Sequence, residues 1–131
     1  MRALLALFLL AAYATPEEAA RTEDQARAGL ERELAGLVPG EPSQCLPVTA
    51  RRQLSSRGYG STIVYRVGSG LKYRSDTTGG CERLAGRRDI LVTQTPLSRP
   101  CAGDIATTVD PTSGFQTGSC SFGLFIPYRK P

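Results

Sequence analysis

The sequence predicts a mainly β protein, a small antiparallel barrel or sandwich with an N-terminal α-helix and two disulfides. Three observations carry this expectation. Residues 15–38 are dominated by Ala, Glu, Gln, Arg and Leu, all good helix formers. From Cys45 onward the texture changes to short β-rich runs broken by Gly, Pro, Ser and Asp, the pattern of all-β sandwiches and barrels. Cysteines at 45, 81, 101 and 120 suffice for two bridges in a domain whose own core is small.

The first element is a leader. Met1 and Arg2 precede a ten-residue apolar run, residues 3–12, which leads into Ala12-Tyr13-Ala14. Charge, a short apolar core and A-x-A are the three parts of a secretory signal, so residues 1–14 read as a signal peptide cleaved before Thr15. A spanning helix needs roughly 20 apolar residues, and no later segment is long or apolar enough to cross a bilayer. The sequence has no Asn, hence no N-glycosylation sequon, and its 14 Arg against 2 Lys suit a GC-rich genome. Periplasmic or secreted bacterial localisation follows.

A helix is expected over 15–38. Thr15 caps it, Pro16 fits the first helical position, and Glu18 completes a capping box. Ala26, Leu30, Leu34 and Leu37 form a narrow apolar stripe, and Pro39-Gly40 stops the helix. The stripe is too thin to decide whether the helix docks on the domain that follows, residues 39–131. Charge changes sign between the two: residues 15–42 carry seven acids and three bases, residues 43–131 twelve bases and five acids. The expected reading is a solvated acidic helix followed by an Arg-rich surface; the alternatives are a helix folded over the basic domain and a domain that binds a polyanion.

Strands are expected at 51–54, 61–67, 71–75, 90–95, 105–109 and 122–128. Residues 61–67 and 71–75 flank Gly68-Ser69-Gly70. A three-residue loop sets Tyr65 opposite Tyr73 and Arg66 opposite Lys72; a two-residue loop would mix the faces, because a one-residue slip flips every side chain. Ile63, Tyr65, Val67, Leu71 and Tyr73 then face inward, while Arg66, Lys72 and Arg74 face outward. The Arg66/Lys72 pair of like charges carries a small cost.

The cysteines are read as bridged rather than metal-binding, since there is no C-x-x-C, no histidine and no close ligand pair. In an up-and-down meander, Cys45 and Cys81 fall at opposite ends, and so do Cys101 and Cys120. This favours Cys45–Cys120 with Cys81–Cys101 among the three connectivities.

Several of these segments also carry a likeness. They are Gly40-Glu41-Pro42-Ser43-Gln44-Cys45-Leu46-Pro47, the Gly68–Arg74 hairpin, the lone Cys81, Cys101-Ala102-Gly103-Asp104-Ile105, and the ending from Cys120-Ser121-Phe122 to Pro127-Tyr128. In them, over residues 34–131, the chain resembles a family of small uncharacterised exported four-cysteine proteins of proteobacteria, a domain of unknown function. The resemblance implies export, bridges and one β-rich domain, and it implies no activity.

Motifs for chemistry are sparse. Ser69-Gly70-Leu71-Lys72 matches S-x-x-K, but it sits at a hairpin tip, without the helix start and K-T-G that the chemistry needs. Asp104 and Asp110 flank one strand and could pair for acid–base work, yet Gly103-Asp104 and Asp110-Pro111 read as turns. Histidine, the commonest base for a nucleophile, is absent. Basic and aromatic residues interleave from Arg57 to Arg74, but the register sends both strand tyrosines inward, whereas stacking platforms must be exposed. The expected role is therefore binding or structural, in the cell envelope, without a catalytic residue, cofactor or metal. The partner is an envelope protein or, alternatively, a polyanion held by Arg51, Arg52, Arg57, Arg66, Lys72, Arg74, Arg87 and Arg88. A carboxylate-based hydrolase ranks last.

Overall fold

Thr15 opens the helix as the sequence predicts. Its hydroxyl accepts from the Glu18 N–H at 3.3 Å, and the Glu18 carboxylate accepts from the Thr15 N–H at 3.2 Å. The structure, a computed structural model, describes residues 15–47, 55–68, 70–86 and 89–131. The leader expected at 1–14 and the strand expected at 51–54 lie outside those residues, as do Arg51, Arg52, Ser69, Arg87 and Arg88. Helix α1 spans Pro16–Leu34, four residues short of expectation. Gly36 takes a φ of 76°, a left-handed conformation that ends the helix. Val38–Pro39 then forms a short strand, β1, rather than a last helical turn.

Seven more strands follow: β2 (Ser55–Tyr59), β3 (Thr62–Arg66), β4 (Leu71–Asp76), β5 (Ile90–Gln94), β6 (Ile105–Val109), β7 (Gln116–Ser121) and β8 (Phe125–Arg129). A 3-10 helix, Glu82–Gly86, bridges β4 to β5. The strands form two antiparallel sheets, one of order β1-β8-β4-β3-β2 and one of order β5-β6-β7. No described strand pairing joins them, so they do not close into a barrel. The hairpin register is the predicted one: Tyr65 lies opposite Tyr73, Arg66 opposite Lys72, and the Val67 N–H donates to the Leu71 carbonyl.

Both sheets feed one core. Ile63, Tyr65, Tyr73 and Phe125 of the larger sheet and Ala106 and Cys120 of the smaller one meet Leu46, Cys81, Leu84 and Phe122, with Val67, Leu71 and Leu91 packed around them. The rings of Tyr65, Phe122 and Phe125 lie 5.4–6.3 Å apart at tilted angles, a favourable aromatic arrangement. No residue of α1 belongs to this cluster.

The bridges are Cys45–Cys101 and Cys81–Cys120, which corrects the expected Cys45–Cys120 and Cys81–Cys101. The chain departs from an up-and-down meander at its C-terminal end. Residues 116–129 make two strands rather than one, and β8 crosses back between β1 and β4. Cys120 therefore sits inside β7, and residues 78–81 run beside it: the Thr78 N–H donates to the Ser121 carbonyl. Gly80 and Gly118 approach so closely there that a Cβ on either would lie 2.0 Å from the other strand's carbonyl oxygen. Cys45 meanwhile pairs with Cys101 in an antiparallel bridge, flanked by Leu46 N–H to Pro100 O and Ala102 N–H to Gln44 O. The bridges close spans of 56 and 39 residues, each contributing about 4 kcal/mol by loop entropy.

Candidate functional site

The outer face of the five-stranded sheet carries the charge. Tyr59, Thr62, Val64, Arg66, Lys72, Arg74 and Asp76 share it by register, and the C-terminal turn of α1 lies against it. Glu33, buried in that turn, meets three strands at once. Arg66 grips it as a fork, Nε to Oε1 and Nη2 to Oε2, the latter at 2.5 Å. The Tyr59 hydroxyl donates to Oε2 at 3.0 Å. Lys72 Nζ lies 3.3 Å from Oε1 and donates to the Glu33 backbone carbonyl at 2.6 Å. The Arg66 hydrogen bonds outweigh the burial that would raise the Glu33 carboxyl, and with Tyr59 and Lys72 they hold it at about 2 against the usual 4.5. Burial and the neighbouring carboxylate push the Tyr59 phenol up, so it remains a donor. The like-charged Arg66/Lys72 pair that the sequence left facing solvent is thus balanced by one carboxylate.

Arg57 and Arg74 share this face by register but make other contacts. Arg74 is held by Asp76, Nε to Oδ1 at 3.0 Å and Nη2 to Oδ2 at 3.3 Å. Arg57 lines an open groove of about 1160 Å³ between α1, β2 and the 3-10 helix, and makes no ion pair among the described residues. Three of the four described members of the basic set are thus committed to carboxylates of the chain itself. Asp104 accepts from the Cys101 N–H at 2.9 Å, and Asp110 accepts from the N–H groups of Thr112 and Ser113 at 2.8 and 3.4 Å. Both hold turns at opposite ends of β6, roughly 20 Å apart at 3.3 Å per residue, which is too far to act as a pair. No cluster of metal-ligating side chains exists among the described residues.

A different surface stands out on the smaller sheet. None of the residues of β5, β6 and β7 is charged, in a chain where 21% of residues are. Register places Ile90 opposite Val109, Val92 opposite Thr107 and Gln94 opposite Ile105, all on the outer face. Ile90, Val92 and Ile105 are 50%, 43% and 43% exposed, and Phe115, at the β6–β7 turn, is 75% exposed. Leu91 and Thr93 alternate inward, as the pleat requires. The strand start is fixed by Asp89, whose buried carboxylate accepts from Arg83 Nε at 3.2 Å and from the Thr117 hydroxyl; the Thr108 hydroxyl lies 2.8 Å beyond.

The edges of this sheet differ. Residues 78–81 cover β7, whereas among the described residues nothing pairs with the outer side of β5. Proteins ordinarily blunt such an edge with charge, proline or a bulge. β5 reads Ile-Leu-Val-Thr-Gln and has none of these. The sequence contained the signal, an uncharged alternating run after Asp89, but that alternation alone does not say which face is covered. No helix among the described residues is long and apolar enough to cross a membrane. No family model, no curated protein and no solved structure matches this chain.

Proposed function

We propose that this protein is a non-catalytic protein-binding module of the bacterial cell envelope, exported and disulfide-bonded, that takes up an extended strand of a partner protein along β5. The observation that carries the reading is the edge of β5, uncharged and unpaired among the described residues, beside the exposed Ile90, Val92 and Ile105. Unpaired backbone groups along an edge are satisfied by another extended chain, and alternate side chains then supply specificity. The exposed set, all apolar and β-branched, suits an apolar strand rather than a charged one. In this reading the two sheets are the layers of an open sandwich, and the smaller layer leaves its outer face to the partner. Polyanion binding is the weaker alternative, because Arg66, Lys72 and Arg74 would have to leave Glu33 and Asp76.

A photo-crosslinking residue at position 92 of the exported chain tests the reading, with the exposed turn position 112 as the comparison. A discrete adduct is expected at 92 and not at 112. The crosslinked segment, made as a peptide, should bind the purified protein and lose at least about tenfold in affinity on Val92→Lys, about 1.4 kcal/mol. Identical adducts at both positions, or none at 92, would sink it. An adduct with a second copy of the chain would replace the partner with self-association.

A further inference from the structure

We propose that Arg66, Lys72 and Tyr59 form a receptor for a helix whose last turn carries a glutamate, and that α1 occupies this receptor in cis through Glu33. The site is distinct from the β5 edge and does not depend on that reading.

All the donors belong to the sheet and all the acceptors to the helix. Each Glu33 oxygen takes two partners: Oε1 has Arg66 and Lys72, and Oε2 has Arg66 and Tyr59. The guanidinium fork matches a carboxylate's planar geometry, and such charge-assisted pairs are the stronger hydrogen bonds. Lys72 also binds the Glu33 backbone carbonyl, one of the carbonyls at a helix C-terminus left without an intrahelical partner. The site therefore recognises a carboxylate and a helix end together, which is more specific than an anion pocket.

The sheet holds these donors in place without α1. Register alone sets Arg66 against Lys72, and like charges directly opposite on neighbouring strands call for a counter-charge. The core cluster contains no α1 residue, and both disulfides lie outside the helix. The helix, in turn, is lightly held. Residues 16–25 are exposed, an open groove is lined by both α1 and β2, and Glu33 and Leu34 are the helix's buried residues. Release of α1 would leave the receptor formed and open.

A tethered Glu33 competes at an effective concentration on the order of millimolar, so a lone carboxylate would not displace it. A competing helix must add the contacts that α1 makes: a small residue where Ala26 faces Gly60, a glycine where Gly29 meets the Tyr59 ring, and an apolar residue at the Leu30 position. The ligand class is thus an acidic helix of a partner protein with small and apolar residues three to seven positions before its terminal glutamate.

A fluorescent peptide of residues 15–35 is the probe, titrated against the mature chain carrying Glu33→Ala and against the unaltered chain. The variant is expected to bind the peptide at least about tenfold tighter than it binds the same peptide carrying Glu33→Gln. In the unaltered chain, excess peptide should speed hydrogen exchange of α1 amides while leaving β3 and β4 protected; this arm needs no variant to fold. Equal binding of the two peptides, no binding to the variant, or an unchanged α1 exchange rate would each overturn the proposal. So would an equal effect from acetate, which would reduce the site to a general anion pocket.

Discussion

Glu33 links ionisation to the docking of α1. Its folded-state carboxyl lies at about 2, below the usual 4.5, so its contribution is present in full above the unfolded value and is lost as pH falls through about 2. NMR titration of the Glu33 side-chain carboxyl is expected to give a midpoint near 2, with α1 amides losing protection over the same range. A midpoint near 4.5 would mean that the Arg66 fork does not form in solution. Half of this arrangement was legible in the sequence. Alternation and loop length placed Arg66 against Lys72 and sent Tyr65 and Tyr73 inward, because one slip would have exposed the aromatic residues. Glu33 was not legible as their partner: it lies 33 residues before Arg66, and a thin apolar stripe does not say where a helix will dock.

Strand β6 and the β3–β4 hairpin follow the sequence pattern because β-branched and aromatic residues alternate there. β2 and β7 do not, since Ser-Ser-Arg-Gly-Tyr and Gln-Thr-Gly-Ser-Cys-Ser read as loops. These strands exist because neighbours pair with them, a tertiary effect that overrides weak propensity. Their glycines have a positional role in this. Gly118 lets residues 78–81 lie against β7, close enough for Cys81 to reach Cys120. Gly118→Ala would drive its Cβ into the Gly80 carbonyl and to 2.9 Å from Thr108 Oγ1. Destabilisation of about 3 kcal/mol or more is expected in chemical denaturation, since backbone must move. A loss below about 0.5 kcal/mol would show that the close approach is not maintained. Gly114→Ala, at an exposed turn, tests backbone strain alone: its φ is 76° and no atom lies within 4 Å of the added carbon.

At the scale of the whole molecule, the two sheets divide the surface between them. The larger sheet carries Arg66 and Lys72 beneath α1, and the smaller one is uncharged, with β7 covered and the outer side of β5 unpaired among the described residues. The cysteine pairing shows why such an arrangement resists reading from sequence. Spacing limits which residues can bridge, but the return of β8 into the first sheet is a long-range choice made by the core around Phe122 and Phe125. The open side of β5 is the central claim, and hydrogen exchange of the isolated chain at a concentration where it is monomeric tests it most directly. Alternate β5 amides, those facing away from β6, are expected to exchange rapidly while their neighbours and the β6 amides stay protected. Uniform protection along β5 would contradict the account, because the edge would then already be covered within the chain.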